Sequence, residues 1–231
     1  YKLASMSKVR KISVYDNLCK GNYNLFTGLR KIPHRDVNFI HADILDSRAF
    51  RKSLQGCDTL IHLAAIVETP FSEQSAHEFE QTNHWGSAEV AYAVEESNVE
   101  RVIVLSSQAV YGAGIVESVE NPLSPQNFYG ISKKRGEEHF LRLMGKLDIL
   151  LIRCATVFGY SKNQRFETVL NKLLFQAHFF NKVAIQGNPT SSLSYVSMTS
   201  LVDCLANVLE AGMLTGVQNL SQISLSLEQI E

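Results

Sequence analysis

A chain of 231 residues, 45% hydrophobic and 19% charged, can bury a sizeable core, which excludes a disordered or low-complexity protein. Its 22 basic and 23 acidic residues leave a net charge of −1, so nothing electrostatic points to nucleic acid or to an anionic membrane surface. The four cysteines, Cys19, Cys57, Cys154 and Cys204, form no close pair and sit in apolar segments, and the seven histidines show no ligand spacing. This predicts buried thiols in a reducing compartment, with neither disulfides nor a metal.

The first predicted strand is Ile12-Ser13-Val14-Tyr15, ending at Asp16-Asn17. Val37-Asn38-Phe39-Ile40 follows and ends at His41-Ala42-Asp43, and a helix is expected over residues 46–54. Thr59-Leu60-Ile61-His62-Leu63 runs into Ala64-Ala65 and a long helix over 73–97. Val102-Ile103-Val104-Leu105 ends at Ser106-Ser107, ahead of a helix over 128–146, and Ile149-Leu150-Leu151-Ile152 ends at Arg153. The strands are short, β-branched and nearly continuous in apolar character, as strands buried on both faces are. Their alternation with helices predicts an α/β fold, a doubly wound parallel sheet that binds ligands at the carboxyl ends of its strands. After Arg153 the pattern changes to a helix over 166–180, short strands at 183–186 and 194–196, a helix over 199–211, a strand at 217–220 and a helix starting at Ser226. That mixture predicts a sheet domain over residues 1–158 and a smaller substrate-binding lobe over 159–231. No apolar run approaches the ~18 residues of a membrane helix, and residues 1–11 lack the apolar centre of a signal peptide. A cytoplasmic protein is the expectation.

Candidate chemistry collects at the strand ends. Asp16 can accept both hydroxyls of an adenosine ribose, or simply form an Asp-Asn turn. Asp43 can accept the exocyclic amine of adenine, or cap the helix that starts near Asp46. Leu63, Ala64 and Ala65 let a ligand backbone approach closely, or pack in the core. Ser107 can hydrogen-bond a substrate oxygen. It lies in no Gly-x-Ser-x-Gly elbow, which argues against a hydrolase nucleophile. Tyr129 and Lys133, in Tyr129-Gly130-Ile131-Ser132-Lys133, fall on one helix face. A lysine one turn below a phenol favours the phenolate, which makes the tyrosine an acid or base for a hydroxyl. Chance can supply this spacing, and its value comes from its place after the Ser107 strand.

Taken in order, several segments resemble the extended short-chain dehydrogenase/reductases, the NAD-dependent epimerase/dehydratase family. They are Val14-Tyr15-Asp16-Asn17, Ala42-Asp43-Ile44, His62-Leu63-Ala64-Ala65, Asn83-x-x-Gly86-Ser87, Ser106-Ser107-x-x-Val110-Tyr111-Gly112, Pro125-x3-Tyr129-x3-Lys133 and Arg153-x3-Val157-Phe158-Gly159. The resemblance implies a Rossmann-like fold with NAD lying against Asp16, Asn17, Asp43, Ile44 and the Leu63-Ala64-Ala65 segment. It implies that Ser106, Tyr129 and Lys133 complete that cofactor site, and that Ser107, Gln108 and Thr156 meet a small-molecule substrate, a nucleotide sugar. Tyr129 would move a proton while hydride moves to the nicotinamide. Lys133 would hold the nicotinamide ribose and lower the tyrosine's pKa. Helices 73–97 and 128–146 would pair across a homodimer, in which Ala88, Ala91, Tyr92 and Val94 could form the face; covering the sheet suits the same residues equally well.

The departures sharpen the expectation. Family dehydratases place Asp-Glu after the catalytic Ser or Thr, whereas this chain has Gln108-Ala109, so an NAD-dependent epimerase is expected rather than a 4,6-dehydratase. The opening strand and Gly-x-x-Gly-x-x-Gly turn of the family do not occur before residues 1–9, which read as the end of the helix after that turn. An N-terminally truncated record is the expectation, with a substrate lobe also incomplete. Thr156 stands where the family often has asparagine, and Leu193 where many members carry a phosphate-binding arginine. Those two positions keep open a reductase or dehydrogenase of a non-nucleotide alcohol or ketone. The absent glycine turn keeps open an inactive family member.

Overall fold

The computed structural model describes residues 1–21, 23–27, 36–67, 75–112, 114, 116, 118–184, 190, 192–212 and 214–230. After the short helix α1 (Lys2–Ser5), strand β1 (Lys11–Asp16) leads through α2 (Asn24–Thr27) to β2 (Asp36–His41), α3 (Ser47–Ser53) and β3 (Thr59–His62). A single helical rod follows, built from α4 (Ala76–Phe79), a π-helical segment (Glu80–Trp85) and α5 (Gly86–Glu95). Then come β4 (Arg101–Ser107), a 3₁₀ turn (Gln108–Tyr111), α6 (Phe128–Leu141) and β5 (Asp148–Cys154). The rest comprises β6 (Thr156–Phe158), α7 (Val169–Phe180), β7 (Ser192–Ser197), α8 (Met198–Ala211), β8 (Gly216–Leu220), β9 (Ile223–Ser226) and α9 (Leu227–Ile230).

Strands β3, β4, β5 and β8 form a four-stranded parallel sheet in that order. Its strands alternate between two cores, which is why they read as unbroken apolar runs. Val102, Val104, Ile149 and Leu151 face Phe50, Val90, Val94 and Phe140 of the α3, α5 and α6 layer. Ile103, Leu150 and Ile152 face Leu201, Leu205 and Leu209 of α8. Each such side chain contributes about 1.5–3 kcal/mol by leaving water. Strands β1 and β2 pair with each other in a separate two-stranded parallel sheet, and β6, β7 and β9 form a small mixed sheet. The division at residue 158 does not separate these sheets. β6, before it, joins β7, and β8, after it, returns to β5.

Local chemistry sets the ends of the helices. Asp46, not Asp43, caps α3, accepting from Ala49 N–H at 3.0 Å. Ser75 and Glu78 form a capping box on α4, Asn127 caps α6 and Ser197 caps α8. Helix α6 stops at Leu141, short of the expected residue 146, because the chain turns through Gly145 at φ +88° to enter β5. Glycine is needed where helices meet. A Cβ at Gly136 would stand 2.5 Å from the Asn83 carbonyl, and one at Gly86 would meet the Ile44 side chain.

Several expectations are corrected. Ala88, Ala91 and Val94 are buried in the sheet-covering layer, and only Tyr92 of the expected dimer face is exposed, because the small residues of α5 point at the core. Cys19 is exposed rather than buried, since it follows β1 in an open turn; Cys57 and Cys204 are half-buried and Cys154 is buried. The helix expected from Ser226 is present as α9, which starts at Leu227; Ser226 ends β9 and its Oγ accepts from Gln229 N–H at 3.3 Å. Residues 73 and 74 of the expected helix and residues 185 and 186 of the expected strand lie outside the described residues, and Val183 and Ala184 are not in a strand. Among the described residues no helix is long and apolar enough to cross a membrane.

Candidate active site

The sequence-predicted residues gather at the carboxyl ends of β1 to β5. At the end of β1, the Asp16 carboxylate is exposed. One oxygen accepts from Leu18 N–H at 2.7 Å, and among the described residues the other is left for a ligand. Asn17 donates its amide to Asp43 at 2.7 Å, and the second Asp43 oxygen accepts from Leu45 N–H at 2.9 Å. The Tyr15 hydroxyl donates to the Asp43 carbonyl at 2.9 Å, so the β1 and β2 ends are fastened to one another. Ile44 turns its side chain into the core, which leaves only its backbone for a ligand. Beyond β3, Leu63 is 53% exposed beside half-buried Ala64 and Ala65. A large apolar side chain so open at a strand end suits contact with a bound group.

Asn83 organises the loop after β3. Its amide donates to the Ile66 carbonyl (2.8 Å) and to Ser132 Oγ (3.1 Å), and its oxygen accepts from Ile66 N–H (2.8 Å). Ser132 in turn donates to the Tyr129 carbonyl at 2.8 Å. One buried side chain, presented by the π-helical segment, therefore ties the Ala64-Ala65 loop to the helix that carries Tyr129 and Lys133. Asn83→Leu should leave the Ile66 N–H and carbonyl unpaired and take one donor from Ser132, which keeps its bond to the Tyr129 carbonyl. A stability loss of about 2–5 kcal/mol is expected, at 1–3 kcal/mol per orphaned group, read as a lower urea midpoint at unchanged slope.

On the reacting side, Ser107 ends β4, and its Oγ accepts from Ala109 N–H at 3.2 Å as the cap of the 3₁₀ turn. The hydroxyl proton stays available to donate. Gln108 follows with its Nε2 buried and, among the described residues, without an acceptor. Helix α6 comes close to this turn because Gly130 has no side chain. A Cβ there would stand 2.5 Å from the Ala109 carbonyl. Tyr129 is half-buried, its ring 6.1 Å from that of Phe79. Lys133, one turn on, is buried and donates to the Leu105 carbonyl at 2.9 Å. Burial pushes its ammonium down to about 8, opposed by the charge of Glu137, so it stays mostly charged at neutral pH. Burial, helped by Lys133, pushes His62 below it down to about 3. His62 is thus a neutral core residue bonded to Ser87 Oγ at 3.2 Å.

Not every predicted residue turns toward this space. The Ser106 hydroxyl donates inward to Glu137 at 2.6 Å. Thr156 opens β6 and pairs with Tyr195 in the small sheet. Leu193 lies in β7, where it offers no cation; Arg165 is paired with Glu167 at 2.7 Å and Lys162 lies over the Tyr1 ring. Among the described residues no cluster of His, Cys, Asp and Glu could hold a metal ion. The arrangement offers an exposed carboxylate at one end, an apolar strand end in the middle, and a hydroxyl, a phenol and a buried ammonium at the other. That layout fits a dinucleotide, with proton transfer at its far end.

Comparisons with known proteins identify the family and the fold. The model of the NAD dependent epimerase/dehydratase family matches residues 11–219. The chain is 28% identical to human dTDP-D-glucose 4,6-dehydratase over 186 residues, 77% of this chain and 52% of that protein. It thus spans about half the length of the curated relatives it matches. Its fold is similar to the UDP-N-acetylglucosamine 4-epimerase of Methanobrevibacter ruminantium (TM-score 0.83, 22% identity, 99% of this chain and 74% of that one). It is also similar to a double mutant of DesIV, the dTDP-glucose 4,6-dehydratase of Streptomyces venezuelae (TM-score 0.79, 23% identity, 95% and 69%).

Proposed function

Because this chain belongs to the NAD-dependent epimerase/dehydratase family, we propose that it inverts a hydroxyl-bearing carbon of a nucleotide sugar by transient oxidation, with NAD as its resident cofactor. The chemistry that NAD supplies when bound is reversible removal of a hydride from that carbon. Asp16, Asn17 and Asp43 would hold the adenosine end, Leu63, Ala64 and Ala65 the middle, and Lys133 the ribose nearest the reaction. Tyr129 accepts the substrate hydroxyl's proton at its phenolic oxygen and later returns it. The Lys133 charge favours the phenolate. Ser107 donates its remaining proton to the same substrate oxygen, with Gln108 next to it at the head of the turn.

One observation carries the choice of epimerisation over dehydration. The turn after Ser107 presents an amide and a methyl group, Gln108 and Ala109, where elimination of water needs an acid and a base. The buried carboxylate behind it, Glu137, is already held by Arg153 and Ser106. Supplying UDP- and dTDP-hexoses with NAD and following C4 by NMR should reveal inversion without net change in NADH. Absence of inversion in every hexose, with NAD bound, would overturn the reading. A reductase of a non-nucleotide alcohol or ketone is favoured by Thr156 and Leu193, which offer no phosphate clamp. Net consumption of added NADH or NADPH would identify it.

A further inference from the structure

Arg153 and Glu137 form a buried ion pair behind the reacting residues, their side chains 5% and 1% exposed. The guanidinium meets the carboxylate through Nε (3.2 Å to each oxygen) and a terminal nitrogen (2.9 Å). Its other terminal nitrogen donates to the Tyr111 hydroxyl at 2.9 Å and to the Val119 carbonyl at 3.4 Å, and the Tyr111 hydroxyl donates to Asn219 Oδ1 at 2.9 Å. Glu137 also accepts from Ser106 at 2.6 Å. Six pieces of chain therefore meet in this network: α6, β5, the end of β4, the 3₁₀ turn, the loop at Val119 and, through Tyr111, β8.

The spacing makes the pair relevant to chemistry. Tyr129, Lys133 and Glu137 recur every four residues along one face of α6. Ser106 and Ser107 point to opposite sides of β4, so the bond from Ser106 fixes the strand end from behind while Ser107 faces the site. An apolar contact could bury the same area, but it would not fix both the rotation and the axial register of α6 against β4. Buried ion pairs contribute little net stability, because desolvation offsets their attraction.

We propose that Glu137 and Arg153 are the positioning pair of this site, locking the Tyr129–Lys133 helix to the Ser107 strand and supplying the negative charge that balances Lys133 in the interior. The groups that act on Lys133 are Glu137 from its own helix, the neutral His62 from β3 and the Leu105 carbonyl from β4, with Tyr129 one turn before it on α6. Burial lowers the lysine's pKa and Glu137 opposes this. Removing that charge should therefore lower the pKa further, and turnover should fail at a lower pH on the alkaline side.

The test uses Glu137→Gln in protein labelled with ¹³C at lysine Cε, without substrate or NAD, with the Lys133 signal identified by its loss in Lys133→Met. The Lys133 midpoint should move below that of the parent protein titrated alongside, while the other lysines keep theirs. An unchanged midpoint in the folded variant would overturn the proposal. If Glu137→Gln does not fold, the neutral Glu137→Gln/Arg153→Gln pair is read in the same way, and loss of fold in both would reduce the pair to a structural element. The proposal rests on the epimerase reading only for the use made of Lys133, and the titration is independent of any substrate. Where turnover is measurable, the alkaline limb of its pH profile should shift with the midpoint.

Discussion

Tyr129→Phe is expected to lower turnover by about 10²–10⁴-fold, the usual contribution of a positioned acid or base, while NAD affinity stays nearly unchanged. The substitution removes one oxygen and keeps the ring that packs 6.1 Å from Phe79. Lys133, with its bond to the Leu105 carbonyl, keeps its place. Lys133→Met should behave differently, weakening both turnover and cofactor binding, since the lysine is expected to serve both. Calorimetric titration with NAD and an NMR turnover assay on the same preparations separate the two patterns. Retention of most activity in Tyr129→Phe would mean that another group moves the proton.

Arg153→Met should cost about 3–5 kcal/mol of stability, the range for breaking a buried pair by removing one partner. The methionine fills much of the volume, so cavity formation is not the main cost. The Glu137 carboxylate, 1% exposed, would keep Ser106 as a donor but lose its counter-ion, and Tyr111 and Val119 would each lose a donor. Arg153→Met/Glu137→Leu should recover much of the loss by removing the stranded charge, and yet leave turnover low because the helix is no longer held in register. Urea denaturation measures the first effect and the turnover assay the second. A cost below about 1 kcal/mol for the single variant would contradict the buried-charge account.

The central strands could be read from sequence because burial on both faces demands unbroken apolar runs. β3 to β5 lie within two residues of where the runs from Thr59 to Leu63, Val102 to Leu105 and Ile149 to Ile152 place them, whereas β1 and β2 stand where their runs place them without burying a residue. The short strands were harder. Thr156–Phe158 offers three residues and Ile223–Ser226 alternates serine with aliphatics, and both exist only because β7 lies between them. Nor could sequence separate the inner from the outer face of α5, where Ala88, Ala91 and Val94 suit a core and an interface equally well. In the site, Ser107, Tyr129 and Lys133 were legible from spacing because their chemistry is local to one strand end and one helix turn. The hydrogen bond between Asn83 and Ser132 spans 49 residues and the Glu137–Arg153 pair spans 16, so both depend on tertiary packing. The available signals were that Asn83 and Arg153 stood in segments already singled out, and that Glu137 follows Lys133 by four.

The separate β1–β2 ribbon has a consequence for how the molecule opens. Neither strand contains a fully buried residue, whereas six of the seven residues of β5 are buried. A two-stranded sheet has little independent stability, and this one gains support from the edge contact of Tyr15 with Phe50, 5.1 Å between rings. Its amides are therefore expected to exchange with solvent through local opening, well before those of β4 and β5, which require global unfolding. Asp16 and Asn17 sit at the end of that first-opening unit, and Ser107 at the end of β4, among the last to open. The adenosine end of a bound dinucleotide would thus meet an adjustable clasp, while the reacting end meets a rigid one.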